Sequence, residues 1–541
     1  MGKFLNTWTV MSIAIGTLLT QSCTKTTEPG KDPYAGGKEP LGVLFENLNR
    51  PLAEVRPGEE FEIAVRGVKR HEADVEVYIN EERSEIISLT DSTMELRVPE
   101  QVASGIIKLK IKDQVYFGPR VPIEGKTTFD NDYGVTNGFN QAVRYILPTS
   151  NGNEFWITGT FTDFENEASA TIFRNNIHKI TSLGTSAKQD DNAYDPRKGG
   201  VGGINSMTRL PNGKYIIGGH INSFNDYTVN GIARLNSSGS LDTAVVEVIN
   251  NTPNIPDNGK DTLSAFNAYL FADLVTLSSS VSHVFATEDN GVIAVGNFGE
   301  HGYIDYNYSS RDAQQFVYTT VRNIVRLKAD GRVDSLFGYN NTGANGFING
   351  AIETNSGKIV LVGDFTTFNG QARNRIIAFN KDGSVDDSFN IGGGANEAIF
   401  SITYNKSLDK IVLAGRFRNF NGQPKAGVVV LNGDGSVDPT FTLGNIEDGI
   451  PNYAYMMNNG RLLISGQLTR YNGVHRSRLL ILEPDGTALQ EYNNFGEFLG
   501  QIYTVVETTS SMGYPALLIG GSIGIADGKP VGHLFKLEVR N

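Results

Sequence analysis

From Gly159 onwards the chain restates one pattern seven times, and this repeat constrains its fold more than any other feature. The clearest copies read GDFTTFNGQARNRIIAFNKDGSVDDSFN from Gly363, GRFRNFNGQPKAGVVVLNGDGSVDPTFT from Gly415 and GQLTRYNGVHRSRLLILEPDG from Gly466. Worn copies begin at Gly159, Gly219, Gly296 and Gly521. Steps of roughly 50 to 80 residues between them are the mark of a propeller or an array. Each copy carries four short apolar runs, in the fifth AIFSITYN, KIVLAGRF, AGVVVLN and SVDPTF, rich in β-branched and aromatic residues. Phe420-Asn421-Gly422 divides the second run from the third, and Asp434-Gly435 the third from the fourth. Both are tight-turn signals, because Asn, Asp and Gly tolerate positive φ. The expected fold class is all-β, with residues 126–541 forming a seven-bladed β-propeller.

The two ends of the repeat region complement each other. The last copy stops after its third run, Gly532 to Val539, while Thr127 to Phe139 looks like the outer run and linking loop of a good copy. Lys126–Asn131 is therefore predicted to supply the outer strand of the last blade, which removes the open edges of an unclosed array. The repeat pattern resembles the delta-60 repeat family of β-propellers. That resemblance implies a fold and a surface or secreted setting, and it brings no catalytic residues.

Residues 1–22 read as a signal peptide: Lys3 precedes an apolar stretch diluted by Asn6, Thr7, Thr9, Ser12 and Thr17, and the segment ends at the sole cysteine, Cys23. A lone cysteine there reads as the lipidated residue of a bacterial lipoprotein. With Thr20 and Leu19 before it, the site resembles the looser lipoprotein box of the Bacteroidetes type. Residues 23–40 form a polar, Pro- and Gly-containing tether. Residues 41–125 alternate apolar and polar positions in FEIAVRG, ADVEVYIN, TMELRVP and GIIKLKIKD. Their order resembles the immunoglobulin-like IPT/TIG fold, which implies an N-terminal β-sandwich acting as a spacer.

Composition excludes some partners. With 59 acidic against 47 basic residues the net charge is −12, which disfavours nucleic acid. Seven histidines show no ligand spacing, C-x-x-C and H-E-x-x-H are absent, and the one G-x-S-x-G match, Gly520 to Gly524, opens the last repeat copy rather than a nucleophile elbow, so no metal, cofactor or catalytic residue is expected. The DGS stretches read as turns rather than calcium loops, because the glutamate at the twelfth position is missing. The acid pairs Asp386/Asp387 and Asp190/Asp191 read as solvated carboxylates of turns and loops rather than a glycosidase pair.

Function is expected where the period breaks. One insertion, Thr243 to Ser282, follows the fourth strand of the second repeat; the other, Gly299 to Thr320, sits between the second and third strands of the third repeat. Loops of those two kinds open on the same propeller face, and one-sided insertions often mark a binding face. The second insertion carries Tyr303, Tyr306, Tyr308, Phe316 and Tyr318 beside Asp305, Arg311 and Asp312. Flat amphipathic rings beside hydrogen-bonding groups suit a sugar. Arg373, Lys425 and Arg476, with Asn374, recur at one place in repeats four to six and suit an acidic sugar or peptide. The expected ligand set is Tyr303, Tyr306, Tyr308, Arg311, Tyr318, Arg373, Asn374 and Arg476. The leading expectation is a non-catalytic, outer-membrane surface lipoprotein, anchored through Cys23, that binds an oligo- or polysaccharide. The alternatives are a scaffold or adhesin with a protein partner in the outer membrane, and a hydrolase or lyase.

Overall fold

The computed structural model describes residues 40–540, apart from 47, 49–50, 170–171, 188–195, 249–258, 274–279, 311–312, 339–340 and 390–391. The expected signal peptide, Cys23, all of the tether before residue 40, Asp190, Asp191, Arg311 and Asp312 lie outside the described residues.

The alternating runs of the N-terminal region form one antiparallel sheet. Its order is Leu44–Phe45, Glu60–Arg66, Thr93–Arg97, Glu82–Leu89, Val75–Ile79, Gly105–Ile111 and Gln114–Val121. The strand Glu82–Leu89 belongs to both halves: Ser84 pairs with Val77, and Glu85 with Arg97. Apolar residues of one half (Ile63, Val65, Met94, Leu96) meet those of the other (Val77, Ile79, Leu109) in one core. By pairing it is thus one sheet folded over its own apolar face, rather than two separate ones, because a single strand crosses between the halves.

Each repeat forms an antiparallel sheet of an inner, a second and a third strand; in the fifth these are Ile399–Asn405, Lys410–Gly415 and Val428–Asn432. The inner strands touch in cyclic succession: Val143–Pro148, Gly200–Arg209, Ser280–Ala286, Ile348–Glu353, Ile399–Asn405, Ile450–Met456, Phe498–Thr509, and then Val143–Pro148 again. Thr127–Phe129 pairs antiparallel with Leu537–Val539, so the two ends of the repeat region share the last sheet. Phe129 anchors the joint edge-on to Phe495 and Phe535, with ring centroids 5.3 and 5.8 Å away.

The repeat's leading glycine has a physical cause. Inner strands bulge at an equivalent place, at Arg144, Asn205, Ser282, Asn349, Phe400, Asn452 and Tyr503. Two residues before each bulge a carbonyl presses onto the second strand. A Cβ on Gly159, Gly219, Gly296, Gly363, Gly415, Gly466 or Gly521 would fall far inside contact distance of that oxygen. A bulge re-aims its extra side chain, and all seven bulged residues line the central channel. Gly415→Ala is expected to cost about 2 kcal/mol or more, because the obstacle is backbone rather than a movable side chain. Urea unfolding of the variant checks this.

The fourth run departs from the expected strand. In most sheets it makes a single bridge, such as Phe379 to Val385 or Leu431 to Val437. The following aspartate turns inwards instead. Asp438 accepts the Thr440 amide at 2.8 Å and pairs with Lys410 at 2.6 Å. Lys214–Asp242 and Arg326–Asp334 repeat the pairing at 2.7 and 3.4 Å. This corrects the reading of Asp386: it is 8% exposed and paired with Lys358, a structural carboxylate rather than a solvated one.

Candidate functional site

The turns between second and third strands and the loops between sheets share one face, and they are tied together there. Asn421 and Gly422 both take positive φ (51° and 72°), as a tight hairpin turn requires. The Asn421 side chain accepts the Gly393 amide of the preceding loop at 3.1 Å. Asn369 does the same for Gly343 at 3.0 Å, and Asn472 for Asn445 at 2.8 Å. Asp382 and Asp434 each accept the amide two residues on, Ser384 and Ser436, at 2.9 Å, which is turn chemistry.

The two insertions meet on this face. The long strand Val292–Ile304 serves the third sheet with its first half. Its second half pairs with Tyr269–Ala272 from the first insertion and Phe316–Thr320 from the second. Period-two alternation puts Tyr269, Phe271, Phe316 and Tyr318 on one side of this extension. Phe316 stacks beside Tyr318 at 5.9 Å, Phe271 lies 5.6 Å from Tyr318, and Tyr269 meets Phe316 edge-on at 5.1 Å. Gly302 is the floor: a Cβ there would come within 2.8 Å of Phe271, 3.3 Å of Phe316 and 3.4 Å of Tyr318. Tyr318 is 55% exposed, with exposed Glu300 and Thr320 paired beside each other on the same side.

The expected residues divide accordingly. Tyr318 belongs to the patch, whereas Tyr303 lies on the opposite side of the extension, 5.2 Å beneath the Arg332 guanidinium. Tyr306 is half-buried; burial and the Asp261 carboxylate push its hydroxyl up to about 12. Tyr308 is 74% exposed. Arg373 pairs with Asp387 at 2.7 Å, and Asn374 donates to the Gly393 carbonyl at 2.7 Å, so both hold the rim together. Arg476 is far from the patch and buried. Sequence reasoning passed over Tyr269 and Phe271, whose signal was their alternate spacing in the first insertion.

The central channel is a cavity of about 740 Å³ lined by all the inner strands. At its mouth the Arg144 guanidinium lies 4.3 Å over the Tyr503 ring, and Arg416 lies 5.5 Å over Phe400. Asn205 and Asn349 bond backbone of the next sheet, donating to Val281 and Ile399 carbonyls at 3.1 and 2.8 Å. Burial pulls His283, one layer deeper, down to about 4, so the ring is neutral at pH 7. The unfolded chain binds that proton first, so His283 costs stability as pH falls from about 6.5 towards 4. The drop in urea midpoint over that window is expected to be smaller in His283→Gln.

The N-terminal domain sits on the same face, over the last two sheets. Ser104 donates to the Asn494 carbonyl at 3.0 Å, and Asn494 donates to Ile123 at 3.1 Å. Glu82 accepts Arg470 at 3.0 Å and the His475 amide at 2.7 Å, and Arg120 pairs with Asp527. Among the described residues no group of three or more His, Cys, Asp or Glu is placed to hold a metal, and no helix is long and apolar enough to cross a membrane.

One family model, described as a domain of unknown function (DUF5122) beta-propeller, matches residues 210–244, 354–389, 409–441 and 458–488, each stretch within one repeat. The repeat region is a β-propeller. A second model, a domain of unknown function (DUF5008), matches residues 19–119 and so takes in most of the N-terminal domain. No curated protein matches the chain. Among solved structures it is similar to a protein of unknown function from Bacteroides thetaiotaomicron, at 13% identity and TM-score 0.27, over 93% of this chain and 98% of that one. It is also similar to auxiliary nutrient binding proteins from Bacteroides ovatus (10%, TM-score 0.21, 90% and 95% covered) and Bacteroides thetaiotaomicron (12%, TM-score 0.28, 78% and 96% covered). Overlaps this loose assign no role to any residue of the blades.

Proposed function

We propose that this protein is a non-catalytic binding protein of the cell envelope that holds a glycan on the insertion-bearing face of a seven-bladed propeller, with the immunoglobulin-like N-terminal domain as its spacer and Cys23 as its lipid anchor. One observation carries the reading: rings from two separate insertions converge over Gly302 on one side of the extension, and Tyr318 stays half-open to solvent. Aromatic faces take the C–H side of a sugar while the neighbouring Glu300 and Thr320 take hydroxyls. Of the carboxylates beside the repeat turns, Asp386 pairs with Lys358, Asp438 with Lys410 and Asp387 with Arg373.

A second reading rests on Val201, Val245, Val317, Tyr308 and Tyr318, each of which is exposed. Exposed large apolar groups fit a protein partner. Affinity gels cast with plant and host polysaccharides separate the two. Retardation of the full chain by a polysaccharide supports the glycan reading; unaltered mobility in every gel, with crosslinks to an outer-membrane protein on intact cells, supports the scaffold.

A further inference from the structure

Among the described residues Arg476 is the one arginine or lysine sealed between the N-terminal domain and the propeller. It is 2% exposed, its Nε and Nη1 make no hydrogen bond, and it forms no ion pair within 4.0 Å among the described residues. A guanidinium without an ion pair in such a place is costly, and burial outweighs the nearby Glu82 carboxylate and pulls its pKa down to about 10.

The fourth blade shows how a cation at the same place in the repeat is paired. Four residues after the turn asparagine, the fourth blade has Arg373 and the sixth has Arg476. Four residues after the next turn glycine, the fourth blade has Asp387, which pairs with Arg373 at 2.7 Å. The sixth blade has Gln490 there instead. Its amide grips the N-terminal domain, accepting the Val102 amide at 3.1 Å and donating to the Val102 carbonyl. The fifth blade has Pro439 there, so the carboxylate belongs to the fourth blade alone, and in the sixth the position serves the docking of the N-terminal domain.

Arg476 lines a cavity of about 360 Å³ bounded by Gln101 of the N-terminal domain and by Tyr471, Asn472, Asp485 and Thr487 of the sixth blade. That is within the range of roughly 300–1,000 Å³ typical of small-molecule sites. The nearby carboxylates are spoken for. Glu82 accepts Arg470 and the His475 amide, and Asp485, exposed to water, accepts the Thr487 amide at 2.8 Å. We propose that this interdomain cavity is a carboxylate site, in which a small carboxylic acid of monosaccharide size takes, beside Arg476, the place that Asp387 holds beside Arg373. It stands independently of the aromatic patch.

Thermal melts of the full chain in D-glucuronate or acetate, against D-glucose and chloride at matched ionic strength, test it. The midpoint is expected to rise and saturate with at least one carboxylate and to be unmoved by glucose. Arg476→Met is expected to lose that response without a lower starting midpoint, since it removes a buried unpaired charge. Gln490→Asp, which rebuilds the pairing of the fourth blade, is expected to lose it with Arg476 still present. A response to neither carboxylate, or the same response in Arg476→Met, overturns the proposal.

Discussion

Replacing Phe271 and Tyr318 together by alanine is expected to weaken glycan binding roughly 10- to 100-fold while leaving the propeller folded. Each stacked ring contributes on the order of 1 kcal/mol or more beyond its buried area, and about 1.4 kcal/mol is a factor of ten. The two residues come from different insertions and touch at 5.6 Å over Gly302, so one truncation also loosens the other ring. Their losses should therefore not add, and a double-mutant cycle would read a coupling between them. Tyr303→Ala is the control, because its ring lies on the other side of the extension under Arg332. It should change binding little. Unfolding midpoints measured alongside separate a lost surface from a lost fold.

The second large effect is expected at the closure. Asp130 and Lys536 have side chains only 1% exposed and face each other at 3.4 Å. Asp130 follows the closing strand Thr127–Phe129 and accepts the Ser511 hydroxyl at 2.7 Å; Lys536 donates to the Ser182 carbonyl of the first blade at 2.6 Å. The pair thus joins the first blade, the last blade and the chain's entry into the ring. Asp130→Asn leaves a buried ammonium without its counter-charge and is expected to cost about 3–5 kcal/mol. Burial alone would push the Asp130 carboxyl up and the Lys536 ammonium down. On the carboxyl, the Ser511 hydrogen bonds and the lysine outweigh burial and hold it below the usual range. An aspartate depressed in the folded state stabilises above about pH 4 and loses that contribution as pH falls through its folded value. Urea titrations from pH 7 to pH 3 should show this acid loss in the wild type and less of it in Asp130→Asn.

The repeat made much of the architecture legible. The leading glycine, the Asn-Gly turns and the match between the two ends of the repeat region are local patterns, and each has a local cause: a carbonyl against Cα, a pair of positive φ values, an unpaired strand edge. Burial set by distant chain was not legible. Asp386 reads as a turn residue until Lys358 is placed beside it. Arg476 reads as a rim cation until Glu82 and Gln101, almost four hundred residues earlier, close over it. The tyrosines of the second insertion read as one cluster, yet pairing of Val317 with Tyr303 and of Tyr318 with Gly302 puts Tyr303 and Tyr318 on opposite sides. A strand's register with its partner decides its faces, and here the partner is the other arm of the same insertion. The bulged residues of the channel share a position but no chemistry, so nothing in their identities announced them.

The most direct measurement is calorimetric titration of the best-retained oligosaccharide into the full wild-type chain and into Phe271→Ala/Tyr318→Ala, with reducing ends assayed in the same samples. A saturable heat in the wild type, its loss in the double variant and a constant reducing-end count are the results this account predicts. Equal binding by both proteins, or reducing ends that accumulate with time, would contradict it.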